Sequence, residues 1–161
     1  NHFGRDIKKK KDKTALEALK SLDKNEVNIS ILPYPSNDND WWVKFKYFTN
    51  IFVIGSISEN YIGIPQALIL GKQNIEYTDK NIVLATIETK SKEVQQYTSL
   101  LSSDNYTIIA ERAIDSNKSI IIFASKAITE EEIEDKIEVI ENNKLNLQDS
   151  LKIMGVYAVF K

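Results

Sequence analysis

The chain has 161 residues, of which 42% are hydrophobic and 27% charged, with a net charge of -2 and a pI near 5.5. That balance excludes disordered, coiled-coil and fibrous classes and leaves no global field to attract a polyanion or an anionic membrane. Cysteine is absent and the one histidine, His2, stands at the N-terminal end, so disulfides, thiolate metal sites, cysteine nucleophiles and histidine-based proton transfer all drop out.

Residues 1–13, with Arg5 and four consecutive lysines at 8–11, read as a flexible, solvated basic lead-in to one α+β domain over 14–161, with a natural subdivision into 14–80 and 81–161. Thr14 and Glu17 have capping-box spacing, and Leu16, Leu19 and Leu22 follow at helical intervals, so a short amphipathic helix is expected over 14–22. Residues 26–32 alternate, which predicts a half-buried strand with Val27, Ile29 and Ile31 on its inner face. Pro33, Pro35 and the Asn and Asp residues between 37 and 40 make a loop. Residues 41–48 and 51–57 are both strand-like, and only Thr49 and Asn50 separate them, as in a two-residue hairpin. Residues 59–80 fit either a helix opened by Pro65 and closed by Gly71 or an edge strand, and the helix is favoured.

The second half follows a clearer rhythm. A central strand is expected over 82–87, a helix over 91–101 with Val94, Tyr97 and Leu101 on one side, and a hairpin from 106–114 and 119–125. A second capping box at Thr129 and Glu132 opens a helix carrying Ile133, Ile137 and Ile140, and a last strand runs over 151–160. Strand, helix, strand, strand, helix, strand over residues 81–161 is the ferredoxin-like βαββαβ arrangement, and the N-terminal helix and antiparallel hairpin either extend its sheet or form a second small one.

Such an architecture hosts many functions, so function has to come from side chains. An RNA-recognition domain needs stacking aromatics on its central strands, and residues 82–87 have none. Amino-acid-sensing domains of this strand order place glycine after the first strand, where this chain has residues 88–92 without one. The segment 41–48 is the most distinctive feature: Trp41, Trp42, Lys44, Lys46 and Tyr47 combine aromatic anchors with basic groups. As a strand it would show a mixed aromatic and basic face, suited to a protein partner or to single-stranded nucleic acid. Glu88, Glu111 and Arg112 are candidates for carboxylate chemistry only if the fold gathers them in a cleft, and the acidic residues 130–135 fan around their helix rather than converge. Matches to the Asn-x-Ser/Thr pattern at Asn28, Asn105 and Asn117 are what so asparagine-rich a chain produces by chance.

The leading expectation is a non-catalytic protein–protein interaction or assembly module, the soluble part of a larger membrane-associated protein cut upstream of Asn1. Partners are a protein or a second copy, with membrane contact only through such an upstream segment; no catalytic residue, metal or cofactor is assigned. A nucleic-acid-binding module and a carboxylate-based enzyme or small-molecule binder are the alternatives.

Overall fold

The computed structural model describes residues 14–58, 64–73, 81–103, 106–127, 131 and 151–158. Helix α1 (Ala15–Asp23) begins where expected, because the Thr14 hydroxyl accepts the Glu17 N–H at 3.1 Å and so satisfies a donor that the first helical turn leaves unpaired. It ends at Asn25, whose φ of 63° turns the chain so that the N–H groups of Asn25 and Glu26 return to the Leu22 and Ser21 carbonyls. The Lys72 ammonium donates to the Asp23 carbonyl and to Asn25 Oδ1, placing a cation at the negative end of the helix.

Strands β1 (Ile29–Pro33), β2 (Phe52–Ile57) and β3 (Ala67–Gly71) form one antiparallel group in the order β1-β3-β2. Strands β4 (Asn81–Lys90), β5 (Thr107–Ala113), β6 (Lys118–Ala127) and β7 (Leu151–Ala158) form another in the order β7-β4-β6-β5, again antiparallel throughout. A parallel pairing of β2 with β7, where Val53 stands opposite Gly155, joins them into one seven-stranded sheet, so the N-terminal strands extend the sheet of the second half. The fold is therefore mixed α+β, with few helices on one continuous sheet.

Gly155 makes that junction possible. Its φ is +152°, and a β-carbon there would lie 2.2 Å from the Val53 carbonyl oxygen and 2.7 Å from the Val53 nitrogen, so only glycine permits the approach.

The two faces of the sheet carry separate cores. On one, α1 and the segment 34–48 bury Leu19, Leu22, Trp41, Trp42 and Phe45 against Val53, Leu68, Leu70, Leu84, Ile122 and Met154. On the other, α3 (Val94–Ser103), entered through a 3-10 turn at Ser91–Glu93, packs Tyr97 and Leu101 against Ala85, Ile87, Ile121 and Phe123. Tyr106 closes this second core edge-to-face with Phe123, ring centres 5.6 Å apart. Burial on both faces explains the uninterrupted apolar run of β4, which has a strand on either side.

Three expectations are corrected. Residues 41–48 are not a strand: Trp41–Lys44 form the short helix α2 and Phe45–Tyr47 a 3-10 turn, so β2 pairs with β3 and β7 instead. Residues 67–71 are a strand rather than the end of a helix, and β3 is interior, hydrogen-bonded to β1 and β2. In β1 the inner face is the opposite one, since Ser30 and Leu32 point into the core while Ile31 is 56% exposed. The Ser30 hydroxyl is satisfied there by the Ala18 carbonyl at 3.0 Å. The lead-in with Lys8 to Lys11, His2 and all but Glu131 of the predicted helix at 129–142 lie outside the described residues. Among those residues, no helix is long and apolar enough to cross a membrane.

Candidate functional site

The segment 34–48 lies across the face of the second strand group and carries the residues that the sequence singled out. Its indoles explain its shape. Trp41 Nε1 donates to the Pro33 carbonyl at 2.8 Å, and Trp42 Nε1 is shared between the carbonyls of Asn39 at 2.9 Å and Ser36 at 3.1 Å. Both rings are buried, Trp41 meeting Phe45 edge-to-face. Each N–H thus satisfies loop carbonyls that prolines and Asx residues leave without a ladder partner. Trp41 and Trp42 are core and form no stacking surface; of the five candidate residues only Lys44 and Tyr47 are exposed, Tyr47 by 69%.

Polar contacts pin the segment to the sheet. Lys46 Nζ donates to both carboxylate oxygens of Glu88, each at 2.8 Å, and lies 5.2 Å from the Tyr47 ring centre. The hydrogen bond to Glu88 holds the Lys46 ammonium above its ordinary pKa, against a smaller opposing effect of burial. Arg112 donates to the Asn39 carbonyl at 3.2 Å, and the Glu111 backbone N–H donates to Asn37 Oδ1 at 3.3 Å. Lys152 lies 5.7 Å from the Phe45 ring centre. Glu88, Glu111 and Arg112 therefore do not converge on a cleft: Glu88 and Arg112 stand on either side of the buried Ile120, and Glu111 is exposed.

At the first residue of the segment, Tyr34 meets Tyr157 of β7. Their hydroxyls are 3.2 Å apart and their rings perpendicular, with centres 6.5 Å apart. Burial pushes both phenols above their ordinary range, and for Tyr157 the neighbouring Tyr34 adds to the effect. Both are neutral near pH 7, and they link the two strand groups on the side opposite α3. Among the described residues, no three histidine, aspartate or glutamate side chains are placed to share a metal ion.

The feature that sequence reasoning missed is the outer face of β1-β3-β2, on the same side of the sheet as α3. Register places Ile31, Ile69 and Gly55 in one row across the strands, Pro33, Ala67 and Ile57 in the next, and Ile29, Gly71 and Phe52 in a third. None of these nine residues is charged or polar in its side chain. Ile31 and Ile57 are exposed, with Ile64 beside the start of β3 exposed by 67%. A signal was present: residues 52–54 and 68–70 are apolar at every position, as in strands covered on both faces, whereas strands with one wet face alternate.

No protein-family model matches the chain, and no curated protein is matched by its sequence. Among solved structures, it is similar to the X-ray structure of prephenate dehydratase from Streptococcus mutans, with a TM-score of 0.57 and 17% identity, over 92% of this chain and 84% of that one. The likeness is one of fold.

Proposed function

We propose that the chain is a non-catalytic assembly module, built on a ferredoxin-like half, that docks a second copy of itself through the outer face of β1-β3-β2. The strand order β7-β4-β6-β5 supports the ferredoxin-like reading. The uncharged apolar face supports the docking reading, because exposed contiguous apolar surface marks interaction sites. A face without charge favours an apolar partner surface, and this chain presents such a surface itself. Three strands about 4.8 Å apart and five residues long at about 3.3 Å each cover roughly 250 Å² in plan. A standard interface takes about 800 Å² from each partner, so the association is weak and depends on concentration.

Sedimentation velocity across micromolar to millimolar concentration tests this. The chain should pass from monomer to dimer, and Ile31→Lys with Ile57→Lys, both exposed and on strands that are not neighbours, should leave it monomeric without a lower melting temperature. A monomer at every concentration refutes the proposal.

The fold likeness over 92% of the chain favours a second reading, a protein that acts on prephenate as the Streptococcus mutans prephenate dehydratase does. Incubation with prephenate distinguishes the two. Turnover, or saturable binding by calorimetry, supports the second reading, and neither is expected from an assembly module.

A further inference from the structure

The sheet face under segment 34–48 can be followed row by row along β4. Ile82 stands opposite Lys126 and Tyr157, Leu84 opposite Ala124 and Gly155, Thr86 opposite Ile122 and Lys152, and Glu88 opposite Ile120. The rows through Ile120 are covered, Lys46 closing over Glu88 and Asn39 receiving Arg112. The next row lies beyond that cover and sets Lys90 directly opposite Lys118, both exposed.

This pairing is unfavourable as it stands. Ser91 N–H donates to the Asn117 carbonyl, so 91 and 117 are a hydrogen-bonded pair, and alternation makes 90 and 118 the non-hydrogen-bonded kind in which side chains approach most closely. Like charges directly opposite destabilise a sheet. Asp115 gives Lys118 partial relief through its charge, but its carboxylate accepts the N–H groups of Asn117 and Lys118 at 2.7 and 2.9 Å, which chiefly hold its pKa down and keep it in the hairpin turn. Arg112 lies diagonally beside Lys118 on the same face, since it pairs with Ile120. Among the described residues, neither Lys90 nor Lys118 has an ion-pair partner within 4.0 Å.

We propose that Lys90, Lys118 and Arg112 form a binding site for a small dianionic group, a phosphoryl group or a compact dicarboxylate, seated over the Lys90 and Lys118 row. A dianion between the two ammoniums turns their repulsion into attraction, and the Arg112 guanidinium supplies the planar fork that matches carboxylate and phosphate oxygens. The footprint is small because the carboxylates of Glu88 and Asp115 border it, which suits one compact anion and not a long polyanion.

The test titrates inorganic phosphate and, separately, malonate into the full chain at ionic strength held constant with sodium chloride, following backbone amides by nitrogen-15 NMR. Saturable shifts at Lys90, Ser91, Asn117 and Lys118 with either anion are expected, and which one binds tighter assigns the ligand class. Lys90→Gln and Lys118→Gln should each weaken binding at least tenfold, whereas Lys126→Gln, on the same face at the other end of β6, should leave it unchanged. Without the anion, Lys118→Gln should melt no lower than the parent chain. Shifts that fail to saturate with both anions overturn the proposal, as do shifts indifferent to Lys90→Gln and Lys118→Gln. Tighter binding of a single-stranded oligonucleotide at the same amides would assign the site to nucleic acid and overturn it too.

Discussion

Replacing Gly155 by alanine is the sharpest perturbation of this fold. The new β-carbon would stand 2.2 Å from the Val53 carbonyl oxygen, 2.7 Å from its nitrogen and 2.9 Å from its carbonyl carbon, all backbone atoms that no rotamer change can move aside. The φ of +152° is itself unfavourable for an L-residue, at a cost of about 1–3 kcal/mol. Relief requires β2 to shift from β7, which breaks the junction between the strand groups. We expect a total loss of at least ~3 kcal/mol, which for a chain of this size lowers the melting temperature by about 6–12 °C. Circular dichroism melting measures it, and hydrogen exchange at Val53 localises it. Gly55→Ala is the control, since its β-carbon would meet only the Ile69 side chain at an ordinary 3.4 Å. If Gly155→Ala melted within about 2 °C of the parent with Val53 still protected, the account of the junction would be refuted.

Trp42→Ala removes a fully buried indole and should cost about 3–5 kcal/mol in urea denaturation, whereas Trp42→Phe should lose about 1–3 kcal/mol by leaving the Ser36 and Asn39 carbonyls without their donor. The Lys46 to Glu88 pair, with side chains 36% and 21% exposed, should yield a coupling of no more than about 1 kcal/mol in a double-mutant cycle, shrinking as salt is added. Tyr34 and Tyr157 have folded-state pKa values raised above the ordinary 10.0, so the unfolded chain loses these protons first. Their contribution is complete below pH 10 and disappears as pH climbs beyond it; the double variant Tyr34→Phe with Tyr157→Phe should flatten that alkaline decline in thermal unfolding.

The second half of the fold was legible because its signals were local and agreed with one another. Tyr97 and Leu101 fall on one side of a helix, residues 120–123 are apolar without a break, and Asp115 begins a turn that its own carboxylate closes. The first half misled where tertiary contacts outweighed propensity. Residues 41–48 have strand composition, but Trp41 and Trp42 have carbonyls to satisfy at Pro33, Ser36 and Asn39, and a helical turn places both indoles for it. In β1, alternation gave the period correctly and the wrong side, because Ser30 finds a carbonyl on α1 that pays for its burial. The row that sets Lys90 against Lys118 could not be read at all, since register between strands 28 residues apart belongs to the folded sheet.

The parallel junction also bears on how the chain acquires its structure. β7 is the last of the seven strands in order of synthesis, yet it sits in the middle of the sheet, between β2 and β4. Val53 must wait for a residue about a hundred positions downstream, so ribosome-bound intermediates expose two unclosed edges until 151–158 emerge. Premature release at that stage leaves a template for strand addition by another molecule, the circumstance in which a chaperone that masks sheet edges would be needed.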